Sequence, residues 1–182
     1  ATISKKLGFP LILKGRFGTS ARNVFLIKNL KDLKKNYTTV KKPILQEYVG
    51  PKIHENRIEY TCSFFKTKSK KILGPIILKR KLVNGTSWIT ETIKNSKISK
   101  LIIKIAKIIN CEGSLNIQLR VRNKGPVPFE INPRFSGTTA IRAHYGFNEP
   151  EMYIKNYYFN KSIDKKVNLK KVFASVTLKK FF

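Results

Sequence analysis

The chain has 182 residues, 41% of them hydrophobic, which is enough for one medium domain or two small ones with a genuine core. Lys and Arg number 38 against 10 Asp and Glu, so the formal net charge is +28. The sequence has no signal peptide and no apolar run of about 18 residues, which excludes a transmembrane helix and predicts a cytoplasmic protein with no membrane partner.

The positive charge has two explanations, and the sequence leaves both open. A field of this sign attracts polyanions such as nucleic acid or phosphorylated small molecules. The lysines are nevertheless spread from Lys5 to Lys180 and accompany many Ile and Asn residues, as in a protein from a lysine-biased proteome.

The two cysteines, Cys62 and Cys111, are far apart and lie beside apolar patterns, which predicts buried free thiols. His54 and His144 have no ligand spacing to either cysteine. No metal site is therefore predicted at the cysteines.

The first fifty residues predict a small unit of short strands with one helix. Apolar runs bounded by Gly, Pro and polar residues indicate the strands, and Leu30 and Leu33 stand at helical spacing after Asn29, a good N-cap. The predicted elements, in chain order, are the end of a helix at residues 1–10, strands in 8–14 and 24–27 paired as a hairpin around the loop 15–23, a helix over 29–37 and a strand over 43–50.

Beyond Gly50 the pattern changes to longer strands and an amphipathic helix, which predicts a boundary near Gly50–Lys52 and domains at 1–50 and 51–182. The predicted elements are strands over 58–67 and 72–83, a helix over 96–110, strands over 113–123 and 129–134 joined by a turn at "GPVP", a helical stretch 139–159 broken near 148–150, and a last strand over 171–182.

A polar strand face within residues 113–134 is the first candidate site. Strand 113–123 alternates apolar with polar residues, so Gln118 lies on a polar face. Glu130 and Asn132 share a face of the next strand, and Phe129 and Ile131 are predicted to point into the core. One carboxylate and two amide oxygens form a set of hard ligands that suits Mg²⁺. A solvated strand face explains the same pattern.

These motifs resemble a known family. "LNIQLRV", "GPVPFEINPRFSGTT" and "GTTAIRAHYGFNEPEMY" together resemble the catalytic core of the ATP-grasp superfamily, and most closely the large subunit of carbamoyl phosphate synthetase and its short relatives. The resemblance implies an α+β fold of two subdomains, each with an antiparallel sheet and helices, and a nucleotide cleft between them. Residues 1–50 would form part of the small subdomain, and residues 51–182 the large one.

The resemblance implies phosphate contacts in the segment "GFPLILKGRFGTSARNVFLI". Lys14 would hold nucleotide phosphates, and backbone N–H groups of Gly18, Thr19 and Ser20 would close over the β- and γ-phosphates. A solvated hairpin tip is the structural alternative. The loop has less glycine than is usual in the family.

The resemblance also implies contacts to the nucleoside. Glu47 would accept from the adenine amino group, the backbone of Val49 would pair with the purine edge, and Glu59 would hold the ribose hydroxyls. Arg80 would lie near the transferred phosphate. Pairing of either glutamate with nearby lysines is the alternative.

For catalysis, the resemblance implies that Gln118, Glu130 and Asn132 bind Mg²⁺ (or Mn²⁺) together with ATP. Arg134 would hold the carboxylate or the transferred phosphoryl group, and Arg142 would either assist it or lie on the surface. The implied activity is ligation of a small-molecule carboxylate to an amine or ammonia through an acyl phosphate.

Two other functions remain open. A basic nucleic-acid-binding module would use Tyr153, Tyr157, Tyr158 and Phe159 among lysines, although their helical spacing is also typical of core packing. An inactive ATP-grasp scaffold would bind neither ligand. Because members of this superfamily normally begin with a separate α/β domain, the sequence is expected to be a fragment. The oligomeric state is left open.

Overall fold

A computed structural model of the chain describes residues 2–17, 23–50, 58–83, 86–163 and 173–175. The chain divides into two compact units, Ala1–Lys52 and Ile53–Phe182. Within the described ranges, no helix is long and apolar enough to cross a membrane.

The first unit is a three-stranded antiparallel sheet with two helices. Its elements are α1 (Thr2–Leu7), β1 (Leu11–Gly15), β2 (Phe25–Ile27), α2 (Leu30–Tyr37) and β3 (Pro43–Glu47). The strand order is β2-β1-β3, and β1 and β2 form the hairpin that the sequence predicted. One face of the sheet supplies Leu11, Leu13 and Ile27 to a core that also includes Leu33 and Val40.

Helix α2 begins where its cap was predicted. The side-chain oxygen of Asn29 accepts a hydrogen bond from the backbone N–H of Asp32 at 2.9 Å. Oδ2 of Asp32 in turn accepts from the backbone N–H of Lys28 at 3.1 Å, so N–H groups next to the helix start are satisfied reciprocally. Leu33 anchors the helix to the core of the first unit.

The second unit contains a larger antiparallel sheet. Its elements are β4 (Glu59–Lys66), β5 (Ile72–Val83), β6 (Thr86–Thr92), α3 (Ser96–Ile108), β7 (Gly113–Arg122), β8 (Gly125–Asn132), α4 (Thr139–His144), α5 (Glu149–Tyr153), a π-helix (Ile154–Tyr158) and β9 (Phe173–Ser175). The strand order is β8-β7-β4-β5-β6-β9.

Helix α3 covers one face of this sheet, which we call the first face. Ile98, Ile102 and Ala106 follow one another at helical spacing and pack on strand residues such as Phe64 and Ile117. The side chain of Asn95 caps the helix by accepting from the backbone N–H of Ile98 at 3.0 Å. The lysines of α3 lie on the opposite side of the helix, as its sequence pattern predicted.

Helices α4 and α5 and the π-helix cover part of the second face. Tyr145 and Phe147, between α4 and α5, and Met152 of α5 are buried and pack against Phe65 and Ile76 from the sheet. Elsewhere the second face is polar. The hydroxyl of Tyr145 reaches Oγ1 of Thr90 at 3.1 Å, so even the apolar part is tied to the sheet by a buried hydrogen bond.

Several predicted elements agree with the structure, and two differ. Strand β5 has the predicted bounds, whereas β6 was not predicted. Residues 125–128 belong to β8 rather than to a turn, because the chain reverses at 123–124. Of the last strand, predicted over 171–182, only Phe173–Ser175 lies within the described residues, and there it forms β9.

The predicted burial of Phe129 and Ile131 is wrong. Because β8 is an edge strand, Ile131 remains 42% exposed. The register with β7 shifts between Gln118 and Leu119, and this bulge leaves Phe129 out of the pairing. The ring of Phe129 lies 5.4 Å from the guanidinium carbon of Arg120, so it packs beside a cation instead of entering the core.

The prediction that the carboxyl-terminal aromatic residues pack in the core is correct for only some of the four. Tyr157 packs against the core, and Tyr153 stacks on it with ring centroids 4.7 Å apart. Tyr158 and Phe159 are 77% and 58% exposed, because the backbone widens to a π-helix here and the helical periodicity no longer applies. Both cysteines are free thiols as predicted, with Cys62 buried and Cys111 half-buried.

Candidate functional site

The polar part of the second face consists of two rows of side chains that run across β4, β7 and β8. In one row Thr61 lies opposite Gln118, and Gln118 lies opposite Glu130. In the next row Ser63 lies opposite Asn116, and Asn116 lies opposite Asn132. Directly opposite residues in antiparallel strands share a face. We call these six side chains the polar wall: Thr61, Ser63, Asn116, Gln118, Glu130 and Asn132.

Burial divides the polar wall into two halves. The inner half, Thr61, Ser63 and Asn116, is completely covered by the helical layer. The outer half, Gln118, Glu130 and Asn132, is only half-buried and consists of the three predicted metal ligands. The strand register thus brings these three side chains together on one accessible face.

The outer half has the donor chemistry of a magnesium site. The Nδ2 amide of Asn132 donates to Oε1 of Glu130 at 2.7 Å, so Oδ1 of Asn132 is left on the other side of the amide group. One carboxylate and amide oxygens from Asn132 and Gln118 suit Mg²⁺ that completes its shell with water and phosphate oxygens. No cluster of three His, Cys, Asp or Glu side chains occurs in the described part of the chain.

Glu59 is the centre of a charged cluster beside the polar wall. The side chain of Glu59 is 5% exposed, and its carboxylate forms ion pairs with Arg80 and, at 3.1 Å, with Arg120. Nη2 of Arg80 also donates to Oε1 of Gln118 at 3.0 Å, which connects the cluster to the candidate ligands. Of the predicted ribose and phosphate residues, Glu59 and Arg80 therefore contact each other, and the partners of Glu59 are arginines rather than lysines.

Arg142 lies underneath the inner half of the wall. The surface position considered for it is wrong, since its side chain is fully buried on α4 and forms an ion pair with Glu149 at 3.3 Å. Its Nη2 donates to Thr61 Oγ1 at 2.9 Å and to Asn116 Oδ1 at 2.6 Å. Burial lowers the pKa of the Arg142 guanidinium, and the neighbouring carboxylate of Glu149 opposes that shift.

Arg134 does not lie on the polar wall. Strand β8 ends at Asn132, and the exposed Arg134 follows in a bend. Its Nη1 donates to the backbone carbonyl of Phe135 at 2.9 Å. Arg134 therefore does not continue the face of Glu130 and Asn132, because the chain leaves the strand before reaching it.

The nucleotide contacts expected in the first unit lie partly outside the described residues. Gly18, Thr19 and Ser20 belong to that part, so their phosphate role stays a prediction. Lys14 is half-buried on the face of the first sheet that points away from the core. Val49 is buried just beyond the end of β3.

The strand register separates Lys14 from Glu47. Lys14 lies opposite Ile44, and Ile12 lies opposite Gln46, so Gln46 shares the face of Lys14. Glu47 lies opposite the core residue Leu11 and points to the other face, where it is exposed at the end of the strand.

Sequence reasoning did not single out several of these side chains, among them Arg120, Asn116, Gln46 and Glu149. Arg120 and Asn116 alternate with apolar residues on the same strand as Gln118, so strand periodicity alone could have found them. Gln46 could have been found by pairing β1 with β3 in register. Glu149 had no such signal, because it follows a turn and its partner lies on another helix.

Comparison with protein families gives one match that covers most of the second unit. A family model described as ATP-grasp in the biosynthetic pathway with Ter operon matches residues 56–181. No curated protein matches the sequence significantly.

Three solved structures with a similar fold were determined in complex with a nucleotide. N5-carboxyaminoimidazole synthetase from Staphylococcus aureus, complexed with ADP, has a TM-score of 0.73 and 18% identity, over 92% of this chain and 46% of that one. The biotin carboxylase domain of 2-oxoglutarate carboxylase from Hydrogenobacter thermophilus, with MgADP, ADP and bicarbonate, has a TM-score of 0.73 and 14% identity over 93% and 41%. Biotin carboxylase from Campylobacter jejuni, complexed with β,γ-ATP, has a TM-score of 0.71 and 17% identity over 92% and 41%.

The chain thus spans less than half the length of each of these three proteins. At such low identities the likeness establishes the fold alone. The α+β fold predicted from the sequence, with antiparallel sheets and helices, is confirmed.

Proposed function

Since the chain belongs to the ATP-grasp family of the biosynthetic pathway with Ter operon, we propose that it forms part of a ligase that uses ATP to join a carboxylate or bicarbonate to an amine or ammonia. The superfamily predicted from the motifs around Glu130 is thereby confirmed, whereas a specificity like that of carbamoyl phosphate synthetase stays a prediction. The observation that carries the proposal is the convergence of Gln118, Glu130 and Asn132 on one half-buried face.

Glu130, Asn132 and Gln118 would hold Mg²⁺ at the outer half of the polar wall. When bound, this ion neutralises charge on the phosphate oxygens of ATP. Glu130 contributes the negative charge and Asn132 an amide oxygen, while their mutual hydrogen bond fixes the orientation of both side chains. Arg80 would hold Gln118 in place through its bond to Oε1.

The proposed reaction has two steps. A carboxylate oxygen attacks the γ-phosphorus of ATP, the bond to the β,γ-bridging oxygen breaks, and ADP leaves. The nitrogen of the amine then attacks the acyl carbon, inorganic phosphate leaves, and the nitrogen loses a proton. Charge on the transferring group dominates the first barrier, so cationic groups around it supply most of the catalysis.

Two arginines are proposed to act on that charge. Arg80 lies beside the outer half of the wall with its Nε buried and without a partner among the described residues. Arg134 would approach the carboxylate or the phosphoryl group from the bend after β8, where a guanidinium fork suits either anion. Removing Arg134 is expected to lower the rate by on the order of 10²–10³.

In the first unit, Lys14 is proposed to contact nucleotide phosphates together with backbone N–H groups of Gly18, Thr19 and Ser20. The backbone of Val49 is proposed to contact the purine edge. Gln46 lies on the face of Lys14 and offers both an amide donor and an acceptor, so we assign the side-chain contact to adenine to Gln46 rather than to Glu47. Glu59 uses both carboxylate oxygens in ion pairs with Arg80 and Arg120, so its contact with ribose stays a prediction.

The proposal is tested by nucleotide affinity with and without Mg²⁺. We expect ADP to bind the parent chain more tightly in MgCl₂ than in EDTA. In Glu130→Ala, this gain in affinity should be smaller by about tenfold or more. Glu112→Ala is the matched control, because it removes one exposed carboxylate just before β7. Equal binding by Glu130→Ala and the parent in MgCl₂ would reject the metal site.

Nucleic-acid binding is a second candidate, favoured by one observation. Tyr158 and Phe159 are exposed, lie edge to face with centroids 5.0 Å apart, and have the ammonium of Lys161 6.0 Å from the ring of Phe159. Exposed aromatic rings beside cations can stack on single-stranded bases. Binding of arbitrary single strands that weakens steeply with salt, and weakens further in Tyr158→Ala, would support it.

A further inference from the structure

The buried pair of Arg142 and Glu149 contacts every side chain of the inner half of the polar wall. Arg142 donates to Thr61 at 2.9 Å and to Asn116 at 2.6 Å. Glu149 accepts a hydrogen bond from Ser63. Thr61 itself donates to Asn116 at 2.8 Å, which closes the network.

Stability alone is a weak explanation for this arrangement. Both members of the pair are fully buried, and the cost of removing two charges from water often equals or exceeds the energy of their attraction. In addition, Nε of Arg142 is buried without a hydrogen-bond partner among the described residues. Replacing such a buried pair by apolar side chains of similar size is often neutral or stabilising.

The contacts of Arg142 and Thr61 instead determine the orientation of the Asn116 amide group. Its Oδ1 accepts from both Arg142 and Thr61, so its NH₂ group has to face away from the guanidinium, since two donors repel each other. Asn116 lies directly opposite Asn132 and two residues before Gln118 on the same strand. Thr61 lies directly opposite Gln118 on the other side.

From this geometry we propose that Arg142 and Glu149 are a positioning pair for the metal site, which they orient through the inner half of the polar wall. The proposal rests on the proposed function, because the outer half must bind Mg²⁺ for the pair to have this effect. Neither residue touches the ion or the nucleotide. Their role is to hold Thr61 and Asn116 in the one arrangement that packs beside Gln118 and Asn132.

The test uses a double variant, Arg142→Met with Glu149→Leu, in the full 182-residue chain. Removing both charges avoids leaving one of them buried alone, so the variant is expected to fold. The measured quantity is the ratio of the ADP dissociation constants in EDTA and in MgCl₂. We expect the value in EDTA to stay within about twofold of the parent and the gain from Mg²⁺ to fall by about 10–100-fold, as when outer contacts of a metal site are lost.

A matched control removes the exposed pair of the same helical segment. Glu151 and Lys155 form an i,i+4 ion pair with both side chains about half exposed. Glu151→Leu with Lys155→Met is therefore expected to keep the full gain from Mg²⁺. A folded Arg142/Glu149 double variant that also keeps the full gain overturns the proposal.

If the double variant does not fold, Thr61→Val provides a second test of the proposal. It preserves side-chain shape and the ion pair but removes the hydroxyl that accepts from Arg142 and donates to Asn116. We expect a gain from Mg²⁺ about three- to tenfold smaller than in the parent, within the range of single lost hydrogen bonds; an unchanged gain overturns the proposal. If the parent chain itself binds ADP no more tightly in MgCl₂ than in EDTA, the proposed function is rejected. This outcome differs from failure of the positioning pair, in which the parent shows the gain and the variants keep it.

Discussion

Glu59 and Arg80 lie directly opposite each other on β4 and β5 and form an ion pair between nearly buried side chains. Arg120 binds the other oxygen of the same carboxylate at 3.1 Å, so one negative charge stabilises two guanidinium groups. Arg80 is simultaneously bonded to Gln118. The charge of Glu59 therefore supports both the local fold and the orientation of a candidate metal ligand.

Glu59→Gln should destabilise the chain substantially. The variant keeps the shape and one acceptor oxygen but removes the carboxylate charge that pairs with two arginines, whose side chains are 10% and 25% exposed. Breaking a buried ion pair from one side usually costs about 3–5 kcal/mol, and the retained acceptor should reduce this to about 2–3 kcal/mol. The measurement is the free energy of unfolding in urea.

Glu151→Gln provides the comparison for Glu59→Gln. It neutralises a carboxylate that also pairs with a cation, Lys155, but on an exposed helix surface. Such pairs contribute about 0.5 kcal/mol or less. Equal losses of stability in the two variants would show that Glu59 is screened by solvent and has no special role.

Cys62 should make the stability of the chain depend on pH under alkaline conditions. Burial in the first face raises the pKa of this thiol to about 12. In the unfolded chain the thiol ionises near pH 8.5, so between about pH 8.5 and 12 only the unfolded state releases the proton. The free energy of unfolding therefore falls with rising pH in this window, by about 1 kcal/mol per pH unit.

The measurement compares urea unfolding of the parent and of Cys62→Ala from pH 7 to pH 10. The variant is less stable at neutral pH because it leaves a cavity, but the gap should narrow by about 2 kcal/mol at pH 10. Cys111→Ala, at a half-buried thiol, should keep most of the parent's pH dependence. Parallel curves for the parent and Cys62→Ala would contradict the raised pKa.

Local sequence patterns were sufficient for the strands that carry the candidate metal ligands. The alternation in β7 placed Gln118 on a polar face, and the two-residue spacing of Glu130 and Asn132 placed them together. Antiparallel pairing then required little more than a short turn between the strands. Period-two patterns survive folding here because one face of the sheet is buried against α3 and must remain apolar.

Features that depend on distant partners could not be predicted in this way. Arg142 looked like a surface residue because burial of its charge is compensated by Glu149 and by Thr61 and Asn116, which lie on other elements. Strand β6 was missed because its side chains Thr90 and Thr92 are buried although they are polar. The hydroxyl of Thr90 is satisfied by a hydrogen bond with Tyr145, so no apolar residue is needed at that position. The position of Phe129 depends on a bulge, which inserts one residue without any marker in the sequence.

The predicted adenine contact also depends on strand pairing, and mutation distinguishes Gln46 from Glu47 as the residue that makes it. Because the register puts Gln46 on the face of Lys14 and Glu47 on the opposite face, Gln46→Ala should weaken ADP binding about five- to tenfold, the usual effect of losing one or two hydrogen bonds. Glu47→Ala should change it less than about twofold.

Isothermal titration with ADP and with inorganic pyrophosphate separates base contacts from phosphate contacts. In Gln46→Ala only ADP should bind more weakly, whereas Lys14→Ala should weaken the binding of both ligands. A large loss in Glu47→Ala with none in Gln46→Ala would restore the original assignment and would require the end of β3 to twist away from the register of its first four residues.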